Sequence, residues 1–199
     1  MVLRPDGTHR TTALLAELDG RPIAGHELLA GRYRGHAVLL VPGNGGEQHA
    51  RRILADVELR LGRPLHAAFA CCDRDVVPAG YREAAQVLGL VLAAEREPGL
   101  YEVDDFLFEY AALRDPAVAA KLVAVVRPLL DSDRLYETLK TFVRCGHNRG
   151  RTARELCVHR TTVDYRIRRI EEITGHDPTC GRGRELLSVA AVLFALKAA

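Results

Sequence analysis

The chain has 199 residues, of which 48% are hydrophobic and 27% are charged. This composition excludes an intrinsically disordered protein and allows one large domain or two small ones. The N-terminal sequence lacks the features of a signal peptide, and the longest apolar stretch, residues 186–196, is about half the length of a transmembrane helix. We therefore expect a soluble, cytoplasmic protein with two compact parts and no membrane partner.

Charge is distributed unevenly along the chain, although the net charge is only +2. Residues 1–130 contain 15 Arg or Lys and 17 Asp or Glu, a net charge of −2, whereas residues 131–199 contain 13 and 9, a net charge of +4. The basic C-terminal part is consistent with binding to a polyanion.

Cysteine and histidine show no pattern typical of a metal site. The five cysteines include no C-x-x-C pair, and the eight histidines do not occur at the spacing of metal ligands on a helix. We predict reduced, mostly buried thiols, no metal site and no cofactor.

The first 115 residues alternate between strand-like and helical patterns. The alternation predicts strands at 36–42, 65–72 and 99–103, helices at 47–62 and 79–94, an apolar run at 11–18 and a glycine-rich turn at 43–46. That turn lacks the G-K-[ST] ending of a phosphate-binding loop. The predicted fold is an α/β or α+β sandwich, in which helices pack on one sheet.

Every periodic segment after residue 115 is helical. Asp115 is the predicted N-cap of a helix that begins at Pro116, and Pro128 is expected to kink or end it. The next helix has an Asp/Ser cap at 131–133 and stops at Gly146. These patterns predict three parts: an α/β domain at 1–115, a connecting helix at 116–130 and an all-α domain at 131–199.

Residues 148–173 have the pattern of a helix-turn-helix. Asn148 is a candidate cap for a short helix, a turn follows, and the pair Thr161 and Asp164 favours a second helix at 161–173. In that second helix the residues at buried spacing are Val163, Ile167 and Ile170.

The opposite face of the second helix carries the candidate DNA contacts. A helix in the major groove uses outward residues near its N-terminus for base edges and basic residues for phosphates. We expect base contacts from Thr161, Thr162 and Tyr165, and phosphate contacts from Arg160, Arg166, Arg168 and Arg169. Two alternatives stay open: His159 hydrogen-bonds to backbone or to phosphate, and Tyr165 packs on a neighbouring helix or contacts DNA.

Residues 148–175, with 135–143 before them and 184–196 after them, resemble the C-terminal helix-turn-helix of PucR/CdaR-type transcriptional regulators. The positions that match the family pattern are Thr138, Leu139, Asn148, Ala153, Leu156, Val158, His159, Arg160, Thr162, Tyr165, Arg166, Arg169, Thr174 and Gly175. The resemblance implies sequence-specific binding to double-stranded promoter DNA as a homodimer or higher homo-oligomer. Thr161 stands where the family often has Asn or Ser.

Such regulators often carry a GGDEF-like domain ahead of the helix-turn-helix, and residues 32–42 look like a degenerate copy of its R-Y-G-G-D-E-F hairpin. The matching positions are Arg32, Tyr33 and Gly35, whereas Arg34, His36 and Ala37 replace the glycine and the metal-binding carboxylates that a cyclase needs. The resemblance therefore implies no catalytic residue. The roles that remain for residues 1–115 are dimerisation and effector sensing. Because the sequence begins so close to this domain, we expect it not to include the separate sensory domain of larger family members.

The favoured hypothesis is a DNA-binding transcriptional regulator that is not an enzyme. The alternative is a metabolite or nucleotide sensor whose helical tail mediates protein-protein contacts. An active nucleotide cyclase is a third hypothesis, which His36 and Ala37 disfavour.

Overall fold

The computed structural model describes residues 1–4, 11–18, 22–25, 28–42, 46–131 and 134–198. It divides into two compact units. The first, which we call the sheet unit, comprises Met1–Leu92 and Glu97–Leu107, and the second, the helical unit, comprises Ala93–Arg96 and Phe108–Ala199. The predicted fold class, a mixed sheet with helices followed by an all-helical region, is confirmed.

The sheet unit is built on five strands in the order β2-β3-β1-β4-β5. The strands are β1 Val2–Arg4, β2 Leu29–Tyr33, β3 His36–Leu40, β4 His66–Ala68 and β5 Gly99–Tyr101. All neighbours are antiparallel except β4 and β5. The helices that separate them are α1 Thr11–Leu18, α2 Gly46–Leu61 and α3 Val77–Ala93. The first four strands with α1 and α2 form the β-α-β-β-α-β arrangement of ferredoxin-like domains.

One face of this sheet packs against α1 and α2. Alternate strand residues such as Leu3, Ala37 and Leu39 point to this face and are fully buried. The predicted stripe of α2 supplies Ile53 and Val57, whereas Leu61 at the helix end is only partly buried. The apolar periodicity of α2 therefore determines which face of the sheet it covers.

Several details of the sheet unit differ from the sequence predictions. The buried strand predicted at 65–72 is reduced to His66–Ala68, because the chain leaves the sheet after Phe69, whose N–H still donates to the carbonyl of Tyr101 in β5. Cys71 and Cys72 follow that exit and are exposed, as are Cys157 and Cys180, so the prediction of mostly buried thiols was wrong. The glycine-rich turn at 43–46 lies outside the described residues except for Gly46.

After the short α4, Leu107–Leu113, the described part of the helical unit contains five further α-helices. They are α5 Pro116–Val126, α6 Leu135–Arg144, α7 Arg149–Glu155, α8 Arg160–Thr174 and α9 Gly181–Ala198. The predicted cap of α5 is confirmed, since Asp115 Oδ1 accepts hydrogen bonds from the backbone N–H groups of Ala117 at 2.8 Å and Val118 at 3.2 Å. Pro128 lies in a 3₁₀ helix that follows α5.

The core of the helical unit is formed by α5, α6, α8 and α9. Its fully buried side chains include Leu139, Ile170 and Leu187. The predicted cap residues Ser132 and Asp133 lie outside the described residues. Within the described ranges, none of the helices is long and apolar enough to cross a membrane.

Candidate nucleic-acid interface

A tight turn joins α7 to α8. Asn148 caps α7 as predicted, because its Oδ1 accepts a hydrogen bond from the backbone N–H of Arg151 at 3.0 Å. After α7, Cys157 adopts a left-handed φ of +53°, and the N–H of Val158 bonds back to the carbonyl of Ala153 at 2.9 Å. This left-handed residue reverses the chain within a few residues and allows α8 to begin immediately.

The start of α8 differs from the sequence prediction by one residue. The helix begins at Arg160, and His159 is its N-cap, with Nδ1 accepting from the Thr161 N–H at 3.4 Å. The hydroxyl of Thr161 lies 2.8 Å from the same nitrogen. The capping pattern predicted for Thr161 and Asp164 is therefore absent, because Thr161 lies inside the helix and its N–H bonds to the imidazole of His159.

The inner stripe of α8 holds the helix against its neighbours. The predicted residues Val163, Ile167 and Ile170 are all buried. Val163 and Ile167 pack with Phe142 of α6 and Ala153 of α7, whereas Ile170 belongs to the larger core. Burial of this stripe leaves the opposite face of α8 in solvent.

Two polar residues of α8 are engaged by other helices. Arg166 is half-buried, and its Nη1 donates a hydrogen bond to Thr138 Oγ1 of α6 at 3.1 Å. Asp164 Oδ1 lies 3.2 Å from Nε of Arg149 on α7 and forms an ion pair with it. The N–H of Arg149 does not point at this oxygen, so the contact is not a hydrogen bond. These contacts fix the rotation of α8 about its axis from two sides.

The outward face of α8 carries the other predicted site residues. Thr161, Arg160, Arg168 and Arg169 are exposed, Tyr165 is 60% exposed, and Thr162 is half-buried. Arg169 forms an ion pair with Glu172 one turn later. Arg160 and Arg168 have no ion-pair partner among the residues that the structure describes. Six of the eight predicted residues, His159 included, are thus exposed, whereas Thr162 and Arg166 are half-buried and Arg166 is bonded to α6.

Two further exposed arginines, Arg151 and Arg154, lie on α7 and were not among the predicted site residues. Both are visible in the sequence as basic residues just after the cap Asn148, but every predicted contact was placed on His159, Arg160 or the second helix. The carboxylate of Glu155, whose side chain is 45% exposed, accepts a hydrogen bond from Cys145 Sγ and pairs with Arg144. These same contacts lower the pKa of Glu155, with the Cys145 hydrogen bond as the largest cause. The one carboxylate of α7 is thus engaged by Arg144, whereas Arg151 and Arg154 form no ion pair with any described residue.

Comparison with known proteins assigns this region to a family. Residues 135–193 match the PucR C-terminal helix-turn-helix domain. The match begins at the first residue of α6 and extends into α9, so it covers the whole helix-turn-helix with α6 and most of α9, but not α5.

Three curated relatives and one solved structure are also similar. Uncharacterized proteins of Mycobacterium bovis and of two Mycobacterium tuberculosis strains are 42% identical over 91 residues, which is 45% of this chain and 22% of theirs. The chain thus matches only about a fifth of the length of these relatives. The crystal structure of a regulator of polyketide synthase expression from Bifidobacterium adolescentis has 23% identity and a TM-score of 0.41, covering 98% of this chain and 79% of that one.

Proposed function

We propose that this chain, which carries a PucR C-terminal helix-turn-helix domain at residues 135–193, is a cytoplasmic, sequence-specific DNA-binding transcriptional regulator. The observation that carries the proposal is the division of α8 into a buried apolar stripe and an exposed face with basic residues. A helix supported in this way can enter the major groove while its partner helix crosses the backbone.

Each exposed residue of α8 has a proposed role that follows from its chemistry. Thr161, Thr162 and Tyr165 lie near the N-terminal end and are proposed to contact base edges. Arg160, Arg168 and Arg169 are proposed to bind phosphates. His159 caps the helix, which supports the backbone alternative for this residue, and the bond from Arg166 to Thr138 supports a positioning role.

We further propose that the regulator acts as a homodimer or higher homo-oligomer, since helix-turn-helix proteins commonly bind two half-sites about one helical turn apart. Residues 1–115 would serve dimerisation or effector sensing, with 116–130 as the connection to the DNA-binding domain at 131–199. The relation of 1–115 to GGDEF domains stays a prediction. We assign the chain no catalytic activity; formation of cyclic di-GMP from GTP and Mg²⁺ by the purified protein would contradict that.

The test is selection from a pool of random duplex DNA at two salt concentrations, followed by sequencing of the retained fraction. We expect enrichment of a two-fold symmetric site. Thr162→Val should change the preferred sequence, whereas Arg168→Gln should weaken binding to all duplexes and reduce the salt slope by about one.

Arg127→Gln is the matched control, because Arg127 is also an exposed arginine of the helical unit but lies outside α7 and α8. Equal losses in Arg127→Gln and Arg168→Gln would contradict the assignment of this face. Absence of salt-dependent retention would overturn the proposal and favour a sensor whose helical tail binds protein.

A further inference from the structure

The second face of the sheet is only partly covered. The β2–β3 register pairs Leu29 with Leu40 and Gly31 with Val38, so these four residues share one face, opposite to the face that packs on α1 and α2. Val2 of β1 pairs with Val38 and lies on this same face, where it is buried. Leu29 is nevertheless 70% exposed and Leu40 39%. We call the exposed area over β2 and β3 the open face.

The first turns of α3 form a wall beside the open face. The hydroxyl of Tyr81 lies 3.0 Å from Nδ1 of His36, and its ring meets that of Tyr33 edge-on at 4.8 Å between centroids. The loop from Phe69 to Arg74 continues this wall. Wall and open face line much of a groove of about 1660 Å³ within the sheet unit, and Met1 and the start of α2, with Gly46, His49 and Ala50, line the rest. Since small-molecule pockets usually measure about 300–1,000 Å³, a ligand of metabolite size fits into part of it.

The rim of the groove is basic. Arg34, Arg74 and Arg82 line it and are exposed, and none forms an ion pair with any residue in the described part of the chain. Asp73 is the one acidic residue among the described lining residues. Arg34 lies over the ring of Tyr33, with its Cζ 5.6 Å from the ring centroid. An apolar floor is thus bordered by guanidinium groups without carboxylate partners.

We propose that this groove binds a small organic anion with a flat, apolar body and a carboxylate or phosphate group. The apolar body would lie on Gly31, Val38 and Leu40, where removal from water is favourable. Arginine forks match the two oxygens of a carboxylate or phosphate. Gly31 adds no side chain to this floor. The space above it is open, because no atom lies within 4 Å of the position that a Cβ would occupy.

Gly31 also provides the sharpest variant. Its φ lies outside the left-handed region and its surroundings are empty, so Gly31→Val adds a β-branched side chain to a strand without strain. The added isopropyl group occupies the floor of the groove. Arg82→Gln removes one rim charge, and Arg52→Gln, an exposed arginine on α2 outside the groove, is its control.

The experiment is a fluorescence titration of the full chain with 1-anilinonaphthalene-8-sulfonate, a flat aromatic anion, beside the uncharged N-phenyl-1-naphthylamine. We expect the anion to bind, Arg82→Gln to weaken it about tenfold, Gly31→Val to abolish it and Arg52→Gln to leave it unchanged. Competition by benzoate and by phenyl phosphate then distinguishes a carboxylate from a phosphate ligand.

Cys71 and Cys72 supply a second readout, because both line the groove and are exposed. Bound probe should slow their alkylation by iodoacetamide, followed by mass spectrometry, and should not slow that of the exposed Cys157 in the helical unit. Equal slowing at all three thiols, unchanged binding in Gly31→Val, equal binding of the neutral probe, or no binding at all would each overturn the proposal. No DNA is present in either assay, so failure here is distinct from failure of the proposed DNA binding.

Discussion

Arg166 of α8 donates a hydrogen bond to Thr138 of α6 across 3.1 Å, and Thr138 is completely buried. The Thr138 hydroxyl in turn donates to the carbonyl of Arg134 at 2.7 Å. The Thr138 hydroxyl therefore uses its proton for the carbonyl of Arg134 and its oxygen to accept from the guanidinium of Arg166. This fixes the direction of both hydrogen bonds.

Replacement of Thr138 by valine tests this contact. Thr138→Val keeps the shape of the side chain but leaves Arg166 without its acceptor, and we expect it to lower the free energy of unfolding by about 1–3 kcal/mol. Urea unfolding of the full chain followed by circular dichroism measures the change. Thr138→Ser, which keeps the hydroxyl, should recover most of the loss; equal stability of the valine variant and the wild type would contradict the role given to this bond.

Glu172 restrains an arginine that is proposed to bind phosphate. Its carboxylate pairs with Arg169, so Glu172→Gln should free Arg169 and strengthen binding to duplex DNA, with a salt slope steeper by up to about one. Fluorescence anisotropy of a labelled duplex at several salt concentrations measures both effects. The control is Glu171→Gln, which removes the same charge from an exposed neighbour without an ion pair to any described residue. Equal gains in the two variants would show that only net charge matters.

Gly183 is packed against backbone at the start of α9. A Cβ at this position would overlap the carbonyl oxygen of Asp177 and lie 2.8 Å from its nitrogen. Because backbone cannot move aside as a flexible side chain can, we expect Gly183→Ala to destabilise the protein by about 1–3 kcal/mol. At Gly150 in α7 the nearest atom is the side-chain Oδ1 of Asn148 at 3.4 Å, so Gly150→Ala should be neutral or stabilising. Thermal unfolding that ranks the two variants in the opposite order would refute this packing.

His147 should make stability depend on pH. Burial, and then the positive charge of Arg184, lower its pKa below the usual 6.5. At a pH between the pKa of His147 in the folded protein and 6.5, the unfolded chain binds more protons than the folded chain. The contribution of His147 to the free energy of unfolding is therefore fully present above about pH 6.5 and is lost as the pH falls through this interval. His147→Asn removes the titration and suits the left-handed φ of +60° at this position.

The measurement for His147 is urea unfolding at about pH 7.5 and about pH 5.5. The wild type should lose more stability on acidification than His147→Asn. His36 also has a lowered pKa, caused by burial and then by Arg4, so part of the pH dependence should persist in that variant. An identical pH dependence of the two proteins would exclude His147 as a contributor.

Periodicity and capping were sufficient to predict much of the helical unit. The buried stripe of α8 and the caps Asp115 and Asn148 depend on neighbours within one or two turns, and all of them are confirmed. A backbone bond from His159 was one of two alternatives, but the sequence did not identify this residue as the N-cap of α8, because a histidine ring takes the place of the usual Ser, Thr or Asp. The contact between Thr138 and Arg166 was also beyond sequence reasoning, since it joins residues 28 positions apart.

The sheet unit was less predictable for a related reason. The short strands β1 and β4 have three residues each, too few for an alternating pattern to be recognised. Their place in the sheet depends on pairing with β3 and with each other, which is a long-range property. The exposure of Cys71 and Cys72 follows from where β4 ends and could not be inferred from their apolar neighbours.

In α8, the residues that hold the helix in place are different from the residues on its exposed face. Arg166 and Asp164 fasten the helix to α6 and α7, whereas Thr161 and Tyr165 take no part in this fastening. Substitutions at Tyr165 therefore leave the contacts that hold the helix intact, whereas the hydroxyl of Thr161 also lies against the capping ring of His159. If the outward residues contact bases as proposed, a duplicated copy of the chain acquires a new DNA target by substitutions there, while loss of Arg166 or Asp164 has to be compensated first.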